Sequence, residues 1–205
     1  KEDLEQMKKQ LNKSTIKNSL VALDINEFAS NIKKVNAKNE EVSENQISNM
    51  SNIHKSLLIA KNQCDDLIYF VEDDYLHQQD SIYEMISTYE RIASQLNREL
   101  VLCPIDYPYL YTKIDTTNIF LGAHKHWRKV EETLCTFLTS KIILQKHWSK
   151  FVSMCEFEHY PFEQPLHNIY KSEYCLSPIP STAIHFTNIN SIFGLSPNVD
   201  WKKTW

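Results

Sequence analysis

Residues Leu67-Ile68-Tyr69-Phe70-Val71 form an apolar run that stops abruptly at Glu72-Asp73-Asp74. A short run that is apolar at every position fits a strand buried on both faces, as in an α/β sheet covered by helices. The carboxylates that end it add a second constraint. Three adjacent carboxylates at the end of a buried strand repel one another and lose solvation unless a cation occupies the site. Ligands of open α/β sheets gather at the carboxyl ends of the strands. In extended backbone Glu72 and Asp74 point the same way, and such a pair suits Mg²⁺ or Mn²⁺ holding a diphosphate. The competing reading is a solvated acidic turn that caps a helix starting near Asp80, although a cap needs only one carboxylate.

The flanking chain fits a sheet between helices. Residues 2–12 put Leu4, Met7 and Leu11 on one helical face, and the run from Leu20 to Ile25 is bounded like a strand. Residues 30–47 are polar and weakly patterned, a surface connection with room for a short edge strand. Helical spacing follows over 52–62 and again over 81–96, with a strand at 100–104. This alternation predicts an α/β fold with a mostly parallel central sheet flanked by helices, in one domain over 1–205. Beyond Tyr107 proline, aromatic and histidine residues crowd in, with one helix expected over 140–155 and another after Pro165.

Composition narrows the function. At 205 residues and 42% hydrophobic the chain can bury one core. It has two glycines, where average usage of about 7% would give about 14, so it has no glycine-rich phosphate loop. A nucleotide would have to be held by side chains and metal. Residues 1–62 carry ten basic and eight acidic side chains, 63–100 two and nine, and 101–205 ten and nine. The negative excess therefore sits in one central segment, and no basic stripe suits nucleic acid. Five widely spaced cysteines without a C-x-x-C pair read as reduced, buried thiols of a cytosolic protein. No apolar run reaches the roughly 20 residues of a membrane helix, and no signal peptide opens the sequence. The expected setting is the cytoplasm, with the cytosolic face of a membrane as the alternative.

The segment IYFVEDDYLH, after a helix and a polar connection, resembles the D-x-D region of GT-A fold glycosyltransferases, in particular family-2-like enzymes that carry "YFVEDDYLH" almost literally. The resemblance extends from about Leu20 to Trp201. It takes in a helix from Asn49 to Ala60, Asp106-Tyr107-Pro108 with Tyr111, His126-Trp127-Arg128, Thr136-Phe137, the SPIPSTAIH stretch ending at His185, and 196–201. It implies a GT-A fold and a nucleotide-sugar donor, a UDP-sugar first, whose diphosphate is bridged by Mn²⁺ or Mg²⁺. It further implies Asp74 as direct metal ligand with Glu72 or Asp73 supporting it, His185 as a later ligand, and a donor-binding set of Asp24, Asn49, Asp73 and Arg128. Such enzymes open with a strand and turn that grip the base, and nothing before residue 20 has that pattern.

Transfer also needs a base for the acceptor hydroxyl. Glu163 stands just before a helix start marked by Pro165, which is where such enzymes place it; Glu158 is the second candidate and Glu156 the third. The run His124-Lys125-His126-Trp127-Arg128 lacks a nearby cysteine and makes a poor zinc site; Arg128 or His126 facing the donor phosphates or the acceptor is the better reading. Tyr107, Tyr109, Tyr111, Trp127 and Trp148 divide between sugar platforms and core. The 140–155 helix, with Lys141, Lys146 and Lys150, suits either the core or peripheral membrane association. The expected function is a metal-dependent, inverting glycosyltransferase acting on a hydroxyl of a glycan, lipid-linked or polysaccharide acceptor. The alternatives are a non-catalytic carbohydrate- or partner-binding module and a metal-dependent phosphohydrolase.

Overall fold

The computed structural model of the chain describes residues 2–112, 114–186, 200 and 203, so the 196–201 motif lies, Asp200 apart, outside the described residues. Helix α1 (Glu2–Leu11) is followed by 3₁₀ turns at Ile25–Glu27 and Ala29–Asn31 and by α2 (Glu44–Gln63). Helix α2 begins well before Asn52 because Ser43 and Gln46 cap it reciprocally: the Gln46 N–H donates to Ser43 Oγ at 3.3 Å and the Ser43 N–H to Gln46 Oε1 at 2.9 Å. Next come β1 (Leu67–Phe70), β2 (Tyr75–His77), α3 (Ser81–Leu96), β3 (Leu100–Leu102) and a 3₁₀ turn at Pro108–Tyr111. A hairpin of β4 (Ile119–Leu121) and β5 (His126–Val130) leads to β6 (Phe137–Ser140). Helices α4 (Lys141–Lys146), α5 (Trp148–Glu156) and α6 (Gln164–Tyr170), then β7 (Tyr174–Ile179) and β8 (Ala183–His185), follow.

Six strands form one sheet in the order β1-β6-β3-β7-β5-β4, and β2 pairs with β8 separately. Within the larger sheet only β3 and β7 are parallel neighbours. The sheet is therefore mixed, which corrects the expectation of a mostly parallel one. Helix–strand alternation did indicate the shared direction of β1 and β3. It carries no information on neighbours, and β6 inserts between β1 and β3 antiparallel to both. Strand β1 is accordingly an edge strand: apolar residues on both faces report the layers that cover it, not its hydrogen-bonding edges.

Two further expectations fail locally. The run from Leu20 to Ile25 forms no strand; Leu20, Val21 and Ile25 remain exposed, and Asp24 instead caps the first 3₁₀ turn. The 140–155 helix is interrupted at His147 into α4 and α5, and Ile143, Leu144, Phe151, Met154 and Cys155 all point into the core. That favours the core-facing reading of this segment over a membrane-facing one. Among the described residues no helix is long and apolar enough to cross a membrane, and all five cysteines are free thiols.

The sheet separates two cores. Ile68, Val101, Cys103, Phe137 and Cys175 meet α2, α4, α5 and α6 on one face, while Leu100, Leu102, Leu138, Leu176 and Trp127 meet Met85, Tyr89 and Ile92 of α3 on the other. Successive residues of β3 and β6 alternate between them, as strand geometry requires. In the β4–β5 hairpin, Gly122 sits so close to the indole that an added Cβ would lie 2.4 Å from Trp127 Cδ1. No side chain fits there. The same indole donates from Nε1 to the buried Glu84 at 3.0 Å.

Candidate functional site

Phe70, the last residue of β1, pairs with Phe137, the first of β6, so the chain leaving β1 passes beside the chain entering β6. The Glu72 N–H donates to Thr136 Oγ1 at 3.0 Å, and the Thr136 hydroxyl donates to Glu72 Oε2 at 3.4 Å. This turns Glu72 inward. Asp73 and Asp74 make the bend into β2, with Asp73 exposed and both Glu72 and Asp74 half-buried. The backbone turns here instead of staying extended, and all three carboxylates line one cavity. Because β2 separates this turn from α3, the acidic triplet does not cap that helix.

His185 arrives from the far end of the chain. Strands β2 and β8 pair with Tyr75 opposite His185, the Phe186 N–H donates to the Asp74 carbonyl at 2.9 Å, and His185 Nε2 lies 2.7 Å from Asp74 Oδ2. The Tyr75 ring stacks on the imidazole at 4.7 Å between centroids, and its hydroxyl meets that of the buried Tyr107 at 3.0 Å. The histidine is thus oriented by a ring that is itself anchored. A cavity of about 340 Å³ opens beside the turn, lined by Asn49, Asn52 and Ser56 of α2 and by Glu72, Asp73, Asp74 and Cys135. Its size is in the range of small-molecule sites.

The electrostatics tie Glu163 to the same place. Burial, followed by the Asp74, Glu163 and Asp73 carboxylates, pushes the Glu72 carboxyl up to about 7 against the stabilising Thr136 hydroxyl. Burial also raises Glu163, opposed by its own backbone N–H and by His167 and His185. The Cys135 thiol is raised by burial and then by both Glu163 and Glu72. Glu163 occupies the position preceding α6, half-buried; its carbonyl accepts from the His167 N–H at 3.1 Å, and its side chain makes no capping bond.

Other expected site residues lie elsewhere. Glu158 is buried and bound by Asn36 Nδ2 at 2.8 Å, by the Tyr160 hydroxyl at 3.1 Å and by the Gln46 amide, fastening the loop before α2 to the chain after α5. Three donors hold this carboxylate in a structural fastening. Asp24 is exposed and accepts from the Asn26 N–H at 3.0 Å, at a turn and not at a strand end. Arg128 gives Nη2 to Asp106 Oδ1 at 2.7 Å, stacks 4.1 Å over the Tyr111 ring and lines a second cavity. Its charge is answered by the buried Asp106 carboxylate. His126 is exposed on β5 and His124 stacks on Tyr83. Glu156 ends α5 in an exposed position.

Thr136, Tyr75 and Cys135 belong to the site and were not singled out for it by sequence. Only the register of β1 on β6 and of β2 on β8 brings them in. Among the described residues no three His, Cys, Asp or Glu side chains are disposed to hold an ion by themselves. Neither a protein-family model, nor a curated protein, nor a solved structure matches this chain.

Proposed function

We propose that this chain is a metal-dependent glycosyltransferase of GT-A type, moving a sugar from a nucleotide-sugar donor to a hydroxyl of a glycan, lipid-linked or polysaccharide acceptor with inversion. The observation that carries this reading is the meeting of Asp74 and His185, 111 residues apart and 2.7 Å between Oδ2 and Nε2, beside a cavity lined by Glu72, Asp73 and Asn49. A carboxylate and an imidazole are two ligands, not a complete cage. Mg²⁺ and Mn²⁺ sites of this kind use one or two carboxylates and leave substrate phosphates and water to complete the shell, and the imidazole ligand favours Mn²⁺, the softer of the two. When bound, such an ion neutralises the diphosphate and makes it a better leaving group.

The chain's own groups have distinct parts in this reading. Asp74 and His185 would hold the ion, Glu72 stands near Asp74 as a further carboxyl group, and Asn49, which lines the same cavity, offers an amide to the donor. Glu163 takes the proton of the acceptor hydroxyl as that oxygen attacks the anomeric carbon and the bond from that carbon to the diphosphate oxygen breaks. In support, Glu163 is within electrostatic reach of Glu72 and His185, and a carboxyl raised by burial is better matched to proton abstraction near neutral pH.

Calorimetry with a panel of nucleoside diphosphates, UDP first, with and without Mn²⁺ tests the reading, together with release of free diphosphate from nucleotide sugars. The expected result is Mn²⁺-dependent binding that Asp74→Ala abolishes while circular dichroism stays unchanged, because the substitution removes a half-exposed ligand and opens no core cavity. Equal binding by the variant and the parent would exclude the metal role. Nucleotide binding without any release of diphosphate would instead favour the non-catalytic binding module.

A further inference from the structure

The chain from Leu4 to Ala22 lies on the outside of the domain, every residue in it exposed except the half-buried Leu11. It is not correspondingly polar. Leu4, Met7, Ile16, Leu20 and Val21 are between 43% and 77% exposed. In α1 the spacing of Leu4, Met7 and Leu11 puts them on one face. Lys8 borders that face, one turn from both leucines, and pairs with Glu5 at 3.0 Å. Beyond α1, Asn18 Nδ2 donates to the Leu11 carbonyl at 3.0 Å and to the Ile16 carbonyl at 2.9 Å, which draws the following chain back to the end of the helix. Apolar side chains gathered in one exposed segment mark an interaction surface.

The charge of the same segment says what covers it. From Gln6 to Leu23 the sequence has Lys8, Lys9, Lys13 and Lys17 and no carboxylate, with Glu5 and Asp24 as its bounds. Lysine stems lie along apolar surface while their ammonium groups stay in water. A partner that meets both kinds of side chain must offer apolar depth beneath a layer of negative charge, and an anionic bilayer does so. A nucleic acid would answer the lysines and leave Ile16, Leu20 and Val21 in water. A second copy would bring like charges together, and α1, with ten residues, falls short of the roughly three heptads a coiled coil needs. The far end of the segment is firmly held. Phe28 is buried and stacks on His54 at 3.6 Å between centroids, and the Lys55 ammonium lies 2.7 Å from the Glu27 carboxylate. His54 and Lys55 both belong to α2, the helix that lines the cavity at the acidic turn.

We infer that residues 4–22 bind the surface of an anionic lipid bilayer, with the apolar side chains entering the headgroup boundary and the lysines facing lipid phosphates. Peripheral membrane association then belongs to the segment before α2 and not to the 140–155 helix. Such binding needs neither nucleotide nor metal.

Flotation of the full chain tests this, with vesicles of phosphatidylcholine alone and of equal parts phosphatidylcholine and phosphatidylglycerol. The chain is expected to float with the anionic vesicles and not with the neutral ones, and to be released as salt is raised. Replacing Lys9, Lys13 and Lys17 together by Gln should lower partitioning by on the order of a hundredfold, about fivefold for each lysine. Ile16→Ser with Leu20→Ser should lower it by about tenfold or more, through the lost apolar burial. All five positions are exposed, so circular dichroism should stay unchanged. The inference is overturned if the parent ignores anionic vesicles, if it binds both kinds equally, or if either variant binds as the parent does. Preference for a single-stranded oligonucleotide over the anionic vesicles would overturn it too, as would a dimer in sedimentation that Ile16→Ser with Leu20→Ser dissociates.

Discussion

Glu158 and Glu163 show how little residue type decides without placement. Both are glutamates of one short segment, and both carry carboxyls removed from bulk water. Asn36, Gln46 and Tyr160 donate to the Glu158 carboxylate, whereas burial, against the opposing charges of His167 and His185, leaves Glu163 with a raised proton affinity. A base must be within hydrogen-bond reach of the proton it removes, and base catalysis contributes about a hundred- to ten-thousand-fold. Glu163→Gln keeps the shape of the side chain and removes its basicity. Turnover should therefore fall by at least about a hundredfold while the affinity for UDP and Mn²⁺, measured by calorimetry, changes little. Glu158→Gln should do the reverse, lowering the thermal midpoint with turnover nearly kept, since an amide cannot accept from all of these donors at once. A fall of only a few-fold for Glu163→Gln would leave the base unassigned.

At the scale of elements, the break between α4 and α5 has an electrostatic anchor. His147 Nε2 lies 2.6 Å from the buried Glu173 carboxylate, the Lys146 ammonium 2.8 Å away, and Arg98 at 3.9 Å. Burial alone would raise the Glu173 carboxyl, but the hydrogen bonds and charges of His147 and Lys146 outweigh it and hold the group below its ordinary value of 4.5. A carboxyl depressed by folding adds stability that is complete above its unfolded value and is lost as the pH falls through the folded one. Thermal melts from pH 7 downward should accordingly show the parent losing stability below about pH 4.5 more steeply than Glu173→Gln; parallel losses would show that the anchor contributes nothing. The same elements explain what could be read in advance. Helix α3 was legible from its apolar spacing and β1 from its composition, and the Ser43…Gln46 pair was available as a capping signal for α2. Strands β2, β4 and β8 have three residues each, too short for any period to show, and it is the pairing of β2 with β8 that brings His185 to Asp74. The approach of this histidine to the acidic turn was an expectation of likeness, not of pattern.

On the scale of the whole molecule, one sheet serves two cores, and β6 lies at the junction. Its neighbours Phe137 and Leu138 point to opposite faces, Phe137 toward α5 and Leu138 toward α3, while the strand is hydrogen-bonded to both β1 and β3. Weakening one face therefore loosens the strand that carries the other. Leu138 is 3% exposed, and removing its isobutyl group should cost about 2–5 kcal/mol through lost burial and the cavity left behind. If the two cores were independent units, Leu138→Ala would lower hydrogen-exchange protection in α3 and leave α5 as it was. If they form one cooperative unit, the slowest-exchanging amides of both helices open only with the whole domain and report the same free energy. The expected outcome is a single denaturation transition and an equal drop in protection for the slowest amides of α3 and α5, read by native-state hydrogen exchange. Unchanged protection in α5 would show that the sheet divides the molecule instead of joining it, and the acidic turn, fixed between β1 and β6, would then stand on the boundary between two separately stable halves.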